Sequence, residues 1–264
     1  MRFALCVEYD GMAFHGWQSQ PHGRTVQDHL QRALSTIAGE PVGVHAAGRT
    51  DTGVHALAQI AHFDTRAERP LQAWVRGVNT HLPPAIAVRW AQPVAEDFHA
   101  RFSAQARSYA YVLHNHPVRP ALQHGRVGWY HRPLNAEAMA EAAGLLLGEH
   151  DFSSFRASEC QARSPVKVLH QARVHRQGEY LLFELRASGF LHHMVRNIVG
   201  SLLWVGYAKE PPDWIGELLA CRDRTRAAPT FMPDGLYFTG VDYAPDWNLP
   251  NGGRIIASPP SFLA

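Results

Sequence analysis

Ala47-Gly48-Arg49-Thr50-Asp51-Thr52-Gly53-Val54-His55-Ala56 is the stretch on which the reading of the fold turns. The apolar run before it, Val42 to Ala46, predicts a strand. Leu57 to Phe63 after it predicts a second, with apolar side chains at Leu57, Ile60, Ala61 and Phe63. Between them an arginine and a carboxylate stand two residues apart in a turn bracketed by glycines. Gly48 and Gly53 permit positive φ or a close backbone approach, so Asp51 can be held rigidly at the mouth of a cleft. Two other readings fit the same letters. Thr-Asp-Thr-Gly is also an ordinary β-turn, in which Asp caps its own backbone and Gly takes the left-handed position. Asp-Thr-Gly is also the triplet of aspartic proteases, whose paired carboxylates share a proton. No second Asp-Thr-Gly or Asp-Ser-Gly occurs in the chain to supply that partner.

Working outward, Arg2 to Tyr9 reads as a strand, and Gly11 to Arg24 as a loop rich in Gly, His and Gln. Thr25 caps a helix whose apolar residues Val26, Leu30, Ala33, Leu34 and Ile37 share one face, and Gly39 ends it. Leu71 to His81 predicts a second helix, with Leu71, Trp74, Val75 and Val78 on one side, stopped by Pro83-Pro84. Ala85 to Ala91 is another strand. The order is β-α-β-β-α-β, a split-βαβ or ferredoxin-like unit.

The second half repeats the pattern. Arg107 to Asn115 alternates as a strand, and Asn135 opens an Ala/Leu-rich helix from Ala136 to Leu147, closed by Gly148. Strands follow at Val168 to His175 and Tyr180 to Ala187, then helices at Phe190 to Gly206 and Asp213 to Ala220, and a last strand at Leu236 to Tyr243. The predicted fold is α+β: two tandem ferredoxin-like halves, residues 1–104 and 105–244, with antiparallel sheets meeting around a central cleft. Residues 245–264 read as an irregular tail. In the helix from Phe190, an apolar stripe runs through Leu191, Met194, Val195, Ile198 and Leu202. His192, His193, Arg196 and Asn197 occupy another face at i+3 and i+4 spacing. The histidine pair has no third ligand at a sensible spacing for a metal. Arg196 is placed either opposite an anion such as Asp51 or in water.

Composition narrows the class. The first ten residues lack a secretory apolar core, and no run approaches the roughly 18 apolar residues of a membrane span. Cys6, Cys160 and Cys221 are odd in number and scattered, which argues for reduced thiols in a cytoplasmic protein without a zinc site. All but Lys167 and Lys209 of the 25 basic residues are arginine, the better fork for phosphate and the better stacker on bases. Phe98 to Ala136 contains no Asp or Glu, yet carries Arg101, Arg107, Arg119, Arg126 and Arg132 among six aromatics. Cys160 to Gly178 is a second acid-free run, with Arg163, Lys167, Arg173 and Arg176. Two such runs, the first interleaved with aromatics, look like a nucleic-acid footprint. A binding module without chemistry would need the aromatic motif of an RNA-recognition sheet, which is absent.

Several ordered blocks resemble the tRNA pseudouridine synthase A family along almost the whole chain. They are Tyr9-Asp10-Gly11 with Phe14-His15-Gly16-Trp17-Gln18, Thr25-Val26-Gln27, Gly48 to Ala56, Phe98 to Phe102, Arg107 to Tyr111, and Gly189 to Gly200. The resemblance implies an isomerase that converts uridines at tRNA positions 38, 39 and 40, in the anticodon stem-loop, without a cofactor or metal, as a homodimer. It implies that Asp51 is the catalytic carboxylate, that Tyr109 stacks on and positions the target base, and that Arg196 is the aspartate's basic partner. It also implies RNA contacts along Phe98, His99, Ala100, Arg101 and Phe102, with Arg49. The basic runs add Arg107 and Arg163 to those contacts. The reaction breaks N1–C1′, joins C5 to C1′ and releases the C5 proton, so it needs no redox or group-transfer motif, and none is present. The carboxylate either attacks C1′, as in a retaining glycosidase, or takes a ribose proton to give a glycal.

Overall fold

The computed structural model describes residues 1–253. Its strands, in chain order, are β1 (Arg2–Tyr9), β2 (Val44–Ala46), β3 (His55–Asp64), β4 (Ile86–Val94), β5 (Ala104–Asn115), β6 (Gly128–Tyr130), β7 (Gly148–Asp151), β8 (Val166–Gln177), β9 (Tyr180–Ala187) and β10 (Leu236–Tyr243). Its α-helices are α1 (Val26–Ala38), α2 (Ala136–Gly144), α3 (Met194–Gly206) and α4 (Trp214–Cys221). The fold is α+β with mostly antiparallel pairing. Two compact units divide the chain: Met1–Arg107 together with the chain from Tyr237, and Ser108–Leu236. The last strand therefore returns to the first unit.

In the first unit β1 lies between β3 and β4, antiparallel to both, and β2 adds antiparallel to the far half of β3. β10 pairs in parallel with the near end of β3, Tyr237 opposite His55 and Phe238 opposite Ala56. Phe3 to Val7 are buried without interruption, which is why β1 alternates so weakly in sequence: both faces of the strand are covered. α1 is set by a capping box. The Asp28 amide donates to Thr25 Oγ1 (3.2 Å) and the Thr25 amide donates to the Asp28 carboxylate (3.3 Å). Gly39, at φ 74°, ends the helix in the left-handed conformation. The predicted helix from Leu71 is present as a short segment whose centre, Ala73–Gly77, has π-type hydrogen bonding. It buries Trp74 against Phe3 and Phe63, at ring separations of 5.5 and 5.2 Å, and leaves Leu71 largely exposed.

In the second unit the strand order is β5-β9-β8-β7, with β6 parallel on the end of β5. β6 and β7 were not anticipated. Gly148, at φ 97°, opens β7, whereas α2 stops at Gly144. The helix predicted from Phe190 begins only at Met194, because His193 takes a left-handed conformation (φ 61°) immediately before it. His192 and His193 therefore precede the helix and share no face with Arg196 and Asn197. The start of the expected irregular tail packs on the first unit: Leu249 is buried, Trp247 contacts Phe98 at 5.2 Å, and Gln92 donates to the Asn248 carbonyl (3.0 Å). The remainder of that tail, from Arg254, lies outside the described residues.

Candidate active site

The Asp51 turn is assembled from backbone. Trp17 donates its amide to the Thr50 carbonyl (3.0 Å), and the Val54 amide closes the turn on the Asp51 carbonyl (3.1 Å). Gly16, at φ 79°, lies so close beneath that a Cβ there would sit 2.8 Å from the Thr50 oxygen and 3.3 Å from the Asp51 carbonyl carbon. At Gly11 a Cβ would overlap the Val54 carbonyl outright. Gly53 takes φ 82°, the freedom that its position in the motif required. The buried Tyr9 hydroxyl bonds the Thr50 hydroxyl at 2.8 Å, and burial pushes the phenol up to about 12, so it stays neutral. Behind the turn, the Gln59 side chain donates to the Gly48 carbonyl (2.7 Å). His55 is buried, stacks on Tyr237 at 4.7 Å and takes the Gly11 amide on Nδ1 (3.1 Å). Asp51 itself is half-buried and Arg49 is exposed. A carboxylate fixed this way, yet reachable, can act on a substrate without reorganising.

The Phe98–Phe102 segment splits into two sets of side chains. Phe98 and Ala100 are fully buried and belong to the core under the segment, so the expectation of RNA contact through those side chains is corrected. Arg101 and Phe102 are exposed, with the guanidinium 5.6 Å from the ring, and His99 lies against Phe102 at 4.3 Å. The loop is held by acceptors. His62 Nδ1 takes the Ala100 amide (3.2 Å), His99 Nδ1 takes that of Arg101 (3.1 Å), and the Ala100 carbonyl accepts the Tyr243 hydroxyl (2.6 Å). Burial, then the nearby His99 and Arg2, push His62 down to about 4, which keeps Nδ1 available as an acceptor at neutral pH. Arg107, predicted as an RNA contact, donates to the carbonyls of Ala47 (3.1 Å), Arg101 (2.6 Å) and Ala104 (3.1 Å). It ties the loop to the strand end before the Asp51 turn.

Tyr109, Arg196 and Arg163 belong to the second unit. Tyr109 is half-buried on β5 and meets Phe190 edge-on at 5.0 Å. Arg196, in the first turn of α3, donates Nε to the Phe231 carbonyl (2.8 Å), and the Phe231 amide returns a bond to the Arg196 carbonyl (3.3 Å). Next to it, the fully buried Asn197 donates to the Phe155 carbonyl (2.8 Å), and its Oδ1 accepts from Arg224 (3.1 Å) and Thr230 (2.7 Å). This network was not foreseen. A single Asn in a helix otherwise apolar from Ile198 to Val205 apart from Gly200 and Ser201 was the available signal, since a buried amide must find partners. Arg163 is exposed.

A family model described as tRNA pseudouridine synthase matches residues 5–103 and 142–244. The chain belongs to the tRNA pseudouridine synthase family, an isomerase family. It is 62% identical over 251 residues to the tRNA pseudouridine synthase A of Dechloromonas aromatica, covering 95% of this chain and 96% of that one. The namesake of Chromobacterium violaceum is 63% identical over 252 residues, covering 95% and 96%, and that of Aromatoleum aromaticum is 59% identical over 259 residues, covering 98% of each.

Proposed function

We propose that Asp51 is the essential carboxylate of this tRNA pseudouridine synthase, and that its substrates are the uridines at positions 38, 39 and 40 of the anticodon stem-loop. Family membership gives the reaction, isomerisation of tRNA uridine to pseudouridine. The observation that carries the choice of Asp51 is its turn: Gly16, Tyr9 and Trp17 fix the Thr50–Asp51 backbone and leave the carboxylate half-buried.

In one route the Asp51 carboxylate attacks C1′ and N1 departs with the bonding pair. The uracil turns, C5 displaces the carboxylate from C1′, and the C5 proton leaves as N1 regains one. In the other route Asp51 removes the ribose C2′ proton as N1 departs with the bonding pair, which leaves a glycal; C5 then adds at C1′ as the proton returns to C2′, and the C5 proton leaves as N1 regains one. Both routes need Asp51 ionised. Tyr109 stacks on the extruded base, offsetting part of a cost of a few kcal/mol, and Arg196 serves as the basic partner of the aspartate. Arg49, His99, Arg101, Phe102 and Arg163 contact RNA, mostly as phosphate and stacking contacts that set register.

The homodimer, the cytoplasmic location and the tandem ferredoxin-like plan belong to the same reading. No helix among the described residues is long and apolar enough to cross a membrane. In support of the plan, β4-β1-β3-β2 run antiparallel in the first unit, the order that a split βαβ unit requires. The carboxylate falls in the N-terminal half, residues 1–104, and Tyr109 and Arg196 in the half from 105 to 244.

The test is tritium release from an unmodified tRNA transcript labelled at C5 of uridine, wild type against Asp51→Asn. Release by wild type alone is expected, with tRNA affinity of the variant kept within a few-fold. Release by both proteins would reduce Asp51 to a turn residue.

A further inference from the structure

β6 leads into His131 and Arg132 near the end of the acid-free run. The backbone there is held from two sides. β6 pairs with the end of β5, with Asn115 opposite Tyr130. The Asn115 side-chain amide donates to the carbonyls of Tyr130 (3.0 Å) and Arg132 (2.7 Å), and Arg176 in turn donates to Asn115 Oδ1 (2.9 Å) and to the Leu134 carbonyl (2.9 Å). The Asn135 amide donates to the Gly206 carbonyl (2.8 Å), which brings the end of α3 alongside. Tyr130 and Tyr207 consequently stack at 5.9 Å and 21°, and the Arg132 guanidinium lies over Tyr207 at 5.2 Å. Phe231, whose carbonyl holds Arg196, stands 6.5 Å from Tyr130.

Arg132 is exposed, the two tyrosines are half-buried, and among the described residues Arg132 has no ion-pair partner. A surface arginine fixed by a protein carboxylate would have its fork occupied. This one lies over an aromatic ring, 5.2 Å from its centroid, and keeps its donors for something else. A guanidinium plane backed by stacked tyrosines offers a phosphate fork and a stacking surface together.

We infer that Tyr130, Tyr207 and Arg132 form an RNA-contacting platform, on which Arg132 takes a backbone phosphate of the tRNA substrate and the stack supports an adjacent nucleotide. The inference rests on the reading of this chain as a tRNA-modifying enzyme. RNA is favoured over a protein partner because the stretch from Phe98 to Ala136 carries five arginines and no acid, a charge pattern suited to phosphates.

The experiment is filter binding of an unmodified tRNA transcript over a salt series, with tritium release run in parallel. Arg132→Ala should bind about tenfold more weakly, and its log affinity should fall with log salt at a slope shallower by about 1. Arg132→Lys should keep the wild-type slope, because the charge remains, while losing a few-fold in affinity with the planar stack. Turnover at saturating tRNA should stay near wild type for both. Wild-type affinity and slope in Arg132→Ala would overturn the platform, whether or not the enzyme is active. So would an unchanged affinity accompanied by a changed oligomeric state in light scattering, which would make the surface a protein interface. Absence of tritium release by the wild type would count against the isomerase reading instead, and the binding comparison would still decide this one.

Discussion

Around Asp51 close backbone approaches and amide-to-carbonyl bonds set the turn with side chains as supports, whereas around Arg196 a side-chain network leads. In the first unit, glycines at 11 and 16 let segments approach more closely than a Cβ would allow, Gly53 takes the positive φ of the turn, and amide-to-carbonyl bonds join them. In the second unit, Asn197 reaches three elements at once, binding Phe155, Arg224 and Thr230, and the Phe231 backbone clasps Arg196. Backbone construction suits a group that must not move during bond exchange, since peptide units have few soft degrees of freedom. A side-chain network tolerates more adjustment and fails by losing partners. The two designs should break differently.

The largest effect is expected at Gly11. Alanine there would press its Cβ into the Val54 carbonyl, within the turn that carries Asp51. Overpacking of this kind costs roughly 1–3 kcal/mol or more, and a displacement near 1 Å at the carboxylate would cost on the order of 10²-fold in rate. Gly11→Ala should therefore lose activity in the tritium assay well beyond its loss in chemical denaturation. Wild-type turnover in a destabilised Gly11→Ala protein would show that the close approach serves folding alone.

The counterpart in the second unit is Arg224→Ala. It strips a half-buried guanidinium from Asn197 Oδ1, Thr230 Oγ1 and the carbonyls of Ala227 and Ala228. Buried acceptors left short of partners cost about 1–3 kcal/mol, so the loss should appear chiefly as a lower denaturation midpoint, with turnover falling less than in Gly11→Ala. An equal or greater fall in turnover would erase the distinction between the two designs.

Much of this organisation was legible from sequence where period and turn chemistry coincide. α1 announces itself through Thr25, its apolar face and Gly39, and the Asp51 turn through Gly53. Other features were not legible, for physical reasons. The acid-free run from Phe98 to Ala136 reads as one basic face, yet its side chains diverge: Phe98 and Ala100 enter the core, Arg107 binds carbonyls, and Arg101, Phe102 and Arg132 reach the surface. Lack of acid specifies charge and leaves direction open. The start of α3 was misplaced because apolar periodicity continues through Leu191, while the break depends on one left-handed histidine, His193, which no pattern marks. β6 and β7 are three and four residues long, too short to show a period of two.

Each unit also buries a tyrosine hydroxyl on a polar partner beside its functional residue, and the pair provides the finest test of the contrast. Tyr9 bonds Thr50 Oγ1 at 2.8 Å, directly beside Asp51, and Tyr111 donates to the Met232 carbonyl at 3.2 Å, next to Phe231. Burial raises both phenols, so both remain neutral through the physiological range. Removing either hydroxyl with Phe should cost about 1 kcal/mol of stability, the net value of a buried hydrogen bond. The consequences for turnover should differ. Tyr9→Phe frees the Thr50 side chain within the rigid turn and should lower turnover several-fold more than its stability loss accounts for. Tyr111→Phe takes a donor from the Met232 carbonyl, whereas Arg196 Nε bonds the neighbouring Phe231 carbonyl, and it should change stability with little effect on rate. Equal rate losses in the two variants would mean that the Asp51 turn has no special dependence on its side-chain support, and that Gly11, Gly16 and the backbone bonds hold the carboxylate by themselves.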